Sequence, residues 1–151
     1  MTAQKLLIAV ALAGLCTTVA RAAAPAPGWQ RVVDLKHNCR MDVPANWSSR
    51  LASMKWFPQS PDHSAGAAIT TSRVTSMALA HQQVMGMQQQ GATIREDSAQ
   101  RLWYATKDGD EAAWGVLVPG HGVICHADIS FKHASDATIA KQIALSVAPL
   151  P

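Results

Sequence analysis

Alternation of apolar and polar positions is sharpest late in the chain. Between residues 123 and 132, Val123, Cys125, Ala127, Ile129 and Phe131 fall on one side, and His126, Asp128 and Ser130 on the other. That period of two predicts a strand with one buried and one solvated face. Residues 101–107 and 111–118 predict two more strands, joined by the hairpin turn Asp108-Gly109-Asp110, and Pro119 to Gly122 turns the chain again. In residues 29–43, Leu35, His37, Cys39, Met41 and Val43 share a face, which predicts a single extended strand ended by Pro44-Ala45-Asn46-Trp47. Residues 51–57 predict a second strand, closed by Pro58, and the β-branched stretch 67–74 a third. Residues 92–96 suit a short strand.

The period changes in two places. Met77, Ala80, Val84 and Met87 recur at helical spacing after a Thr75 or Ser76 cap, and Gly91 supplies the stop. Ile139, Ile143 and Val147, with Ala140 and Ala144 beside them, form a second stripe. Ser135-Asp136 caps it, and Pro149 and Pro151 end it. The order is β-β-β-α-β-β-β-α or near it. The expected fold class is α+β: an antiparallel sheet with two helices packed against it.

The first residues follow neither period. Lys5 precedes the apolar run 6–15, and Ala20-Arg21-Ala22 offers a small-x-small cleavage site. This predicts a signal peptide over 1–22, because the run falls well short of the roughly 20 residues a membrane helix needs. Leu15 ahead of Cys16 argues against lipidation. The expected address is the periplasm or the exterior of a bacterium, with no stable membrane insertion after cleavage. Residues 23–29 read as a Pro/Ala linker and 30–151 as one domain. The leader holds Lys5 and Arg21 and no acid, so the basic excess of the full chain shrinks to near neutrality without it. No basic cluster or nucleic-acid motif remains, which excludes nucleic acid as a partner.

The address decides the cysteines. Cys39 and Cys125 are the pair left after the leader, and in an oxidising compartment they predict one disulfide. A loop of this length is worth roughly 4 to 5 kcal/mol in the chain-entropy model. The competing reading is a metal site built from His37-x-Cys39 and His121-x3-Cys125-His126, a spacing that matches no zinc finger.

Three further sets carry candidate chemistry. Met77, His81 and Met85 lie along one helical face and are the alternative metal site, for copper(I); the plainer reading is core filler. His126, Asp128 and Ser130 have the residue types of a catalytic relay. Neighbours at this spacing are roughly 6 to 7 Å apart along a strand, too far for direct contact, and no nucleophile elbow accompanies them. Glu96-Asp97 and Asp108, Asp110 and Glu111 sit at turns and read as solvating. Of the five tryptophans, Trp103 and Trp114 suit the sheet core, and Trp47 and Trp56 are candidates for a binding surface. Trp47 equally suits packing back on the core.

The run from Asp42-Val43-Pro44 through Asn46-Trp47, the mid-chain helix, Trp103-Tyr104, the hairpin, Ile129-Ser130-Phe131 and the terminal Ile143-Ala144-Leu145-Ser146 resembles PsbP-like and DcrB-like small domains over roughly residues 30–148. The resemblance implies a central antiparallel sheet flanked by helices and a role in binding or scaffolding. It carries over no catalytic residue. The expectation is therefore an exported, non-catalytic binding or scaffolding module for another envelope or secreted protein, an immunity-type role falling within that class, with no cofactor. The alternatives are a small-ligand or copper carrier and, last, an envelope hydrolase.

Overall fold

The computed structural model describes residues 23–52 and 55–151; the signal-peptide expectation for 1–22 lies outside them. Among the described residues the strands are β1 (Trp29–Val33), β2 (Cys39–Pro44), β3 (Ser48–Ala52), β4 (Lys55–Gln59), β5 (Ala65–Thr71), β6 (Thr93–Asp97), β7 (Leu102–Asp108), β8 (Glu111–Gly120), β9 (Val123–Phe131) and β10 (Ala148–Pro149). Helix α1 (Met77–Gln88) follows β5, and α2 (Ala137–Ser146) follows β9 through a short 3-10 turn. The strands form a seven-stranded sheet, ordered β3-β4-β5-β9-β8-β7-β6, and a three-stranded sheet, ordered β1-β2-β10. All pairings are antiparallel. The α+β expectation holds, with two sheets in place of one.

Two predicted strands are hairpins. The stretch read as one strand over 29–43 folds back at Asp34, so that Val33 pairs with Arg40. Asp34 is buried, at 3% exposure. One carboxylate oxygen accepts the amides of Asn38 (2.8 Å) and Cys39 (2.9 Å), and the other accepts the amide (3.0 Å) and hydroxyl (2.7 Å) of Thr71. His37 completes the turn in the left-handed region, at φ 55°. Cys39, Met41 and Val43 keep the predicted buried face, whereas Leu35 and His37 lie exposed in the turn. The stretch read as one strand over 51–57 is likewise split into β3 and β4, with Leu51 opposite Trp56. Past α2 the chain does not simply stop. Ala148 and Pro149 pair with Arg40 and Cys39. At the other end, Trp29 opens β1 where the strand reading of 29–43 begins, and donates its amide to the Ala26 carbonyl.

The helix ends show which caps form. Ser76 accepts the Leu79 amide at 3.3 Å, as a cap should. Asp136 occupies the cap position of α2 but makes no side-chain cap bond; its carboxylate accepts the Ser64 hydroxyl at 3.0 Å and fastens α2 to the β4–β5 turn.

One face of the large sheet is closed. Ala140, Ile143 and Ala144 of α2 and Val147 just past its end, with Cys39, Met41 and Val43 of the small sheet, pack on Ile69, Val116, Ala127 and Ile129. Trp103, Trp114 and Phe131 extend this core as an edge-to-face row, with ring centroids 5.0 and 4.8 Å apart. Cys39 and Cys125 are fully buried and form the expected disulfide, 86 residues apart in sequence with Cα atoms 5.5 Å apart. It ties the small sheet to the centre of the large one.

Candidate binding groove

The opposite face is only partly covered. Ala80 and Val84 of α1 pack on Leu102, Tyr104, Leu117 and Ile124. A cavity of about 730 Å³ is left between α1, β5, β9, Lys55 and the β1–β2 turn. A second hollow of about 380 Å³, bounded by Phe57, Gln59, Met87 and Ser130, lies beyond Tyr104, which lines both.

The floor depends on a glycine. Tyr104 and Asp128 both pair with Gly115, from opposite sides, in β7 and β9. A Cβ at position 115 would collide with the Tyr104 ring. Without it, the ring lies across β8 and the phenol reaches His126 Nε2 at 3.5 Å. His126 Nε2 is 3.3 Å from an Asp128 oxygen, and Lys55 Nζ is 3.5 Å from the other. These are long contacts, which leave hydrogen-bonding capacity open toward the groove. Burial pushes the Tyr104 phenol up to about 12, with the Asp128 charge adding to it, so the group stays a donor at neutral pH. Burial holds His126 below its ordinary value, Asp128 opposing and Lys55 assisting.

Lys36 and Arg73 stand exposed at the rim. Asp34 also borders the cavity, but all four of its bonds are spent on the chain itself. Burial raises the Asp34 carboxyl, and the hydrogen bonds from Thr71, Cys39 and Asn38 outweigh it, holding the group below the usual carboxylate range.

The sequence-derived candidates are distributed unevenly. His126 and Asp128 do meet, contrary to the spacing argument: the strand repeat separates their backbones, and the two side chains lean together along the strand. Ser130 lines the second hollow, with no hydrogen bond to either among the described residues. Trp47 is a core residue at 6% exposure and offers little to a partner, while Trp56 is half-buried against the same core. The Met77, His81, Met85 set is not assembled. His81 Nδ1 contacts the Met77 carbonyl at 2.6 Å and Nε2 contacts Asp97 at 2.5 Å. Both oxygens can only accept, so these contacts favour the protonated ring, and both its nitrogens are engaged within the chain and turned away from a metal. Asp97 and the Met77 carbonyl raise its pKa. Met77 packs under the helix and Met85 is 62% exposed. The Cys/His metal alternative loses its thiolates to the disulfide. Among the described residues, no three His, Cys, Asp or Glu side chains group to hold a metal. The turn carboxylates divide: Asp97 pins α1 to β6 through His81, and Glu96 accepts the Ser98 hydroxyl and lies 3.7 Å from Arg101.

Tyr104, Gly115 and Lys55 were not foreseen as site residues. The available signal was Gly115, since a glycine inside a strand marks a bulge or a close approach.

No family model matches the chain, and no curated protein sequence matches it. Solved structures do. The chain is similar to the solution structure of cyanobacterial PsbP (CyanoP) from Synechocystis sp. PCC 6803, with 13% identity, a TM-score of 0.53, and coverage of 91% of this chain and 99% of that one. It is also similar to a crystal structure of a protein from Bacteroides thetaiotaomicron VPI-5482, at 9% identity and a TM-score of 0.58, over 82% of this chain. It spans about half of that protein, 49%. At these identities the likeness concerns the fold, which is PsbP-like.

Proposed function

Taking the PsbP-like fold as premise, we propose that the chain is an exported, non-catalytic binding or scaffolding module of the bacterial envelope, and that its partner is another envelope or secreted protein. The observation that supports this most is the contrast between the two edges of the large sheet. Edge strand β6 carries Arg95, Glu96 and Asp97 in succession, with a bulge between Ile94 and Glu96, devices that resist strand addition. Edge strand β3 has an unbroken register with β4 and a single charged residue, Arg50. Ser48, Ser49, Arg50 and Leu51 are exposed, Leu51 at 53%, and among the described residues no strand pairs with the outer edge of β3, which leaves that edge open to an extended segment. The absence of a Ser130 bond to His126 supports a binding role over a hydrolytic one, and an immunity-type partnership fits the same edge.

The test places a photo-crosslinking residue at Leu51 or at Thr93 of β6 in the full chain, expressed with its leader in a bacterial host. A discrete adduct from Leu51 and none from Thr93 is expected, with the recovered chain beginning after Ala22. Equal labelling at both edges, retention in the cytoplasm, or an esterase or phosphatase activity abolished by His126→Ala would overturn the proposal.

A further inference from the structure

The groove on the α1 face has the size and lining of a ligand site. Its volume of about 730 Å³ falls within the range of roughly 300 to 1,000 Å³ common for small-molecule pockets. Its walls are of two kinds. Leu35, Val74, Ala80, Val84 and Leu117 supply apolar surface. Lys36, Lys55 and Arg73 supply three cations from three separate segments. The opposing acids are few. Asp34 is saturated by its own turn, and Asp128, which lines the second hollow, is shared by Lys55 and His126 at 3.5 and 3.3 Å. The rim is therefore a net positive surface above an apolar trough, with the Tyr104 hydroxyl and the His126 ring unsaturated at its base.

We propose that this groove binds a small amphipathic anion, with a single carboxylate- or phosphate-type head held among Lys36, Lys55 and Arg73 and an apolar body laid between α1 and the sheet. Tyr104 donates to the ligand from the floor, and Gly115 is the residue that allows it to reach. The inference uses the non-catalytic reading of Tyr104 and His126. It goes beyond the protein partner, because the ligand occupies the groove and not the β3 edge. The two therefore fail separately: crosslinking at Leu51 reports the edge, and titration reports the groove.

The test is a calorimetric titration of the full mature chain with decanoate and with decyl phosphate, below micelle-forming concentrations. Neutral decyl glucoside and cationic decyltrimethylammonium serve as controls. Amide NMR shifts identify the residues touched. At least one anion should saturate at one per chain, at least about tenfold tighter than either control, shifting Thr70, Gly115 and His126. Lys36→Ala with Arg73→Ala, both exposed and so compatible with folding, should weaken it by about tenfold. Val84→Trp, filling the trough, should abolish it. If Val84→Trp fails to fold, Tyr104→Phe replaces it, with weaker binding expected at an unchanged melting temperature. Equal affinity for all four amphiphiles, shifts confined to residues outside the groove, or indifference to the loss of Lys36 and Arg73 would overturn the inference.

Discussion

The two faces of the large sheet are built from the same strands and put them to different uses. Toward α2 and the small sheet, alternate residues of β5, β8 and β9 are apolar and sealed, and a disulfide crosses the interface. Toward α1, the intervening residues of those strands include Thr70, His126 and Asp128, and cover is partial. The period-two geometry of a strand makes this division possible: one face can be committed to stability while the other stays polar, because neighbouring positions never share a side. The contrast predicts that substitutions one residue apart in β9 or β8 have effects of different kind as well as size.

The largest effect belongs to the sealed face. Replacing Cys39 and Cys125 together by Ala should cost about 4 kcal/mol, read as a lower midpoint in urea unfolding of the unreduced chain. A loss near zero would mean that packing alone joins the two sheets. Next, Ile143→Ala should cost about 4 kcal/mol, against about 2 kcal/mol for Leu117→Ala beside the groove, because an enclosed void cannot be filled by solvent and an open one can. Equal costs would erase the distinction between the faces. Gly115→Ala comes third, at about 1 to 3 kcal/mol for overpacking. Its distinguishing readout is displacement of Tyr104, visible as a change in the tyrosine ring resonances.

The smallest effects are those of pH, and here the two histidines of the α1 side oppose each other. His81 has a raised pKa in the fold. Its contribution is fully present below its unfolded value of 6.5 and is lost as pH rises through the folded value. His126 has a lowered pKa. Its contribution is present above 6.5 and is lost as pH falls through the folded value. His81→Ala should thus flatten the decline in stability on the alkaline side of 6.5, and His126→Ala the decline on the acid side. Denaturation midpoints across that range check both. Asp34 adds a separate acid limb: with its pKa below 3.8, its contribution holds above that value and disappears as pH falls through the folded one.

How far the sequence foretold this follows from which contacts are local. The β7–β8–β9 meander, the α2 stripe and the cysteine pair were legible because alternation, helical spacing and pair counting each read a short stretch or a simple number. The fold-back at Asp34 was not. The stretch alternates correctly on both sides of the turn, and the carboxylate that closes the turn finds half its donors on Thr71, in a strand far along the chain. The β3–β4 hairpin was hidden for a related reason: its strands are short, and Pro58 reads locally as a terminator although it sits within β4. The groove was least legible. His126 and Asp128 were visible as polar positions, but the reach of Tyr104 to its target two strands away depends on a missing Cβ in the strand between.

That missing Cβ also constrains how the sequence can drift. Positions 104 and 115 are not independent: a methyl group at 115 meets the outer end of the Tyr104 ring, and is accommodated only if that ring swings aside or is replaced by a smaller group. Substitutions at the two sites should therefore be coupled among related chains, with glycine at 115 accompanying an aromatic ring at 104 that lies across β8. A chain that keeps both the glycine and the tyrosine declares, in two letters, that its groove floor is still in place.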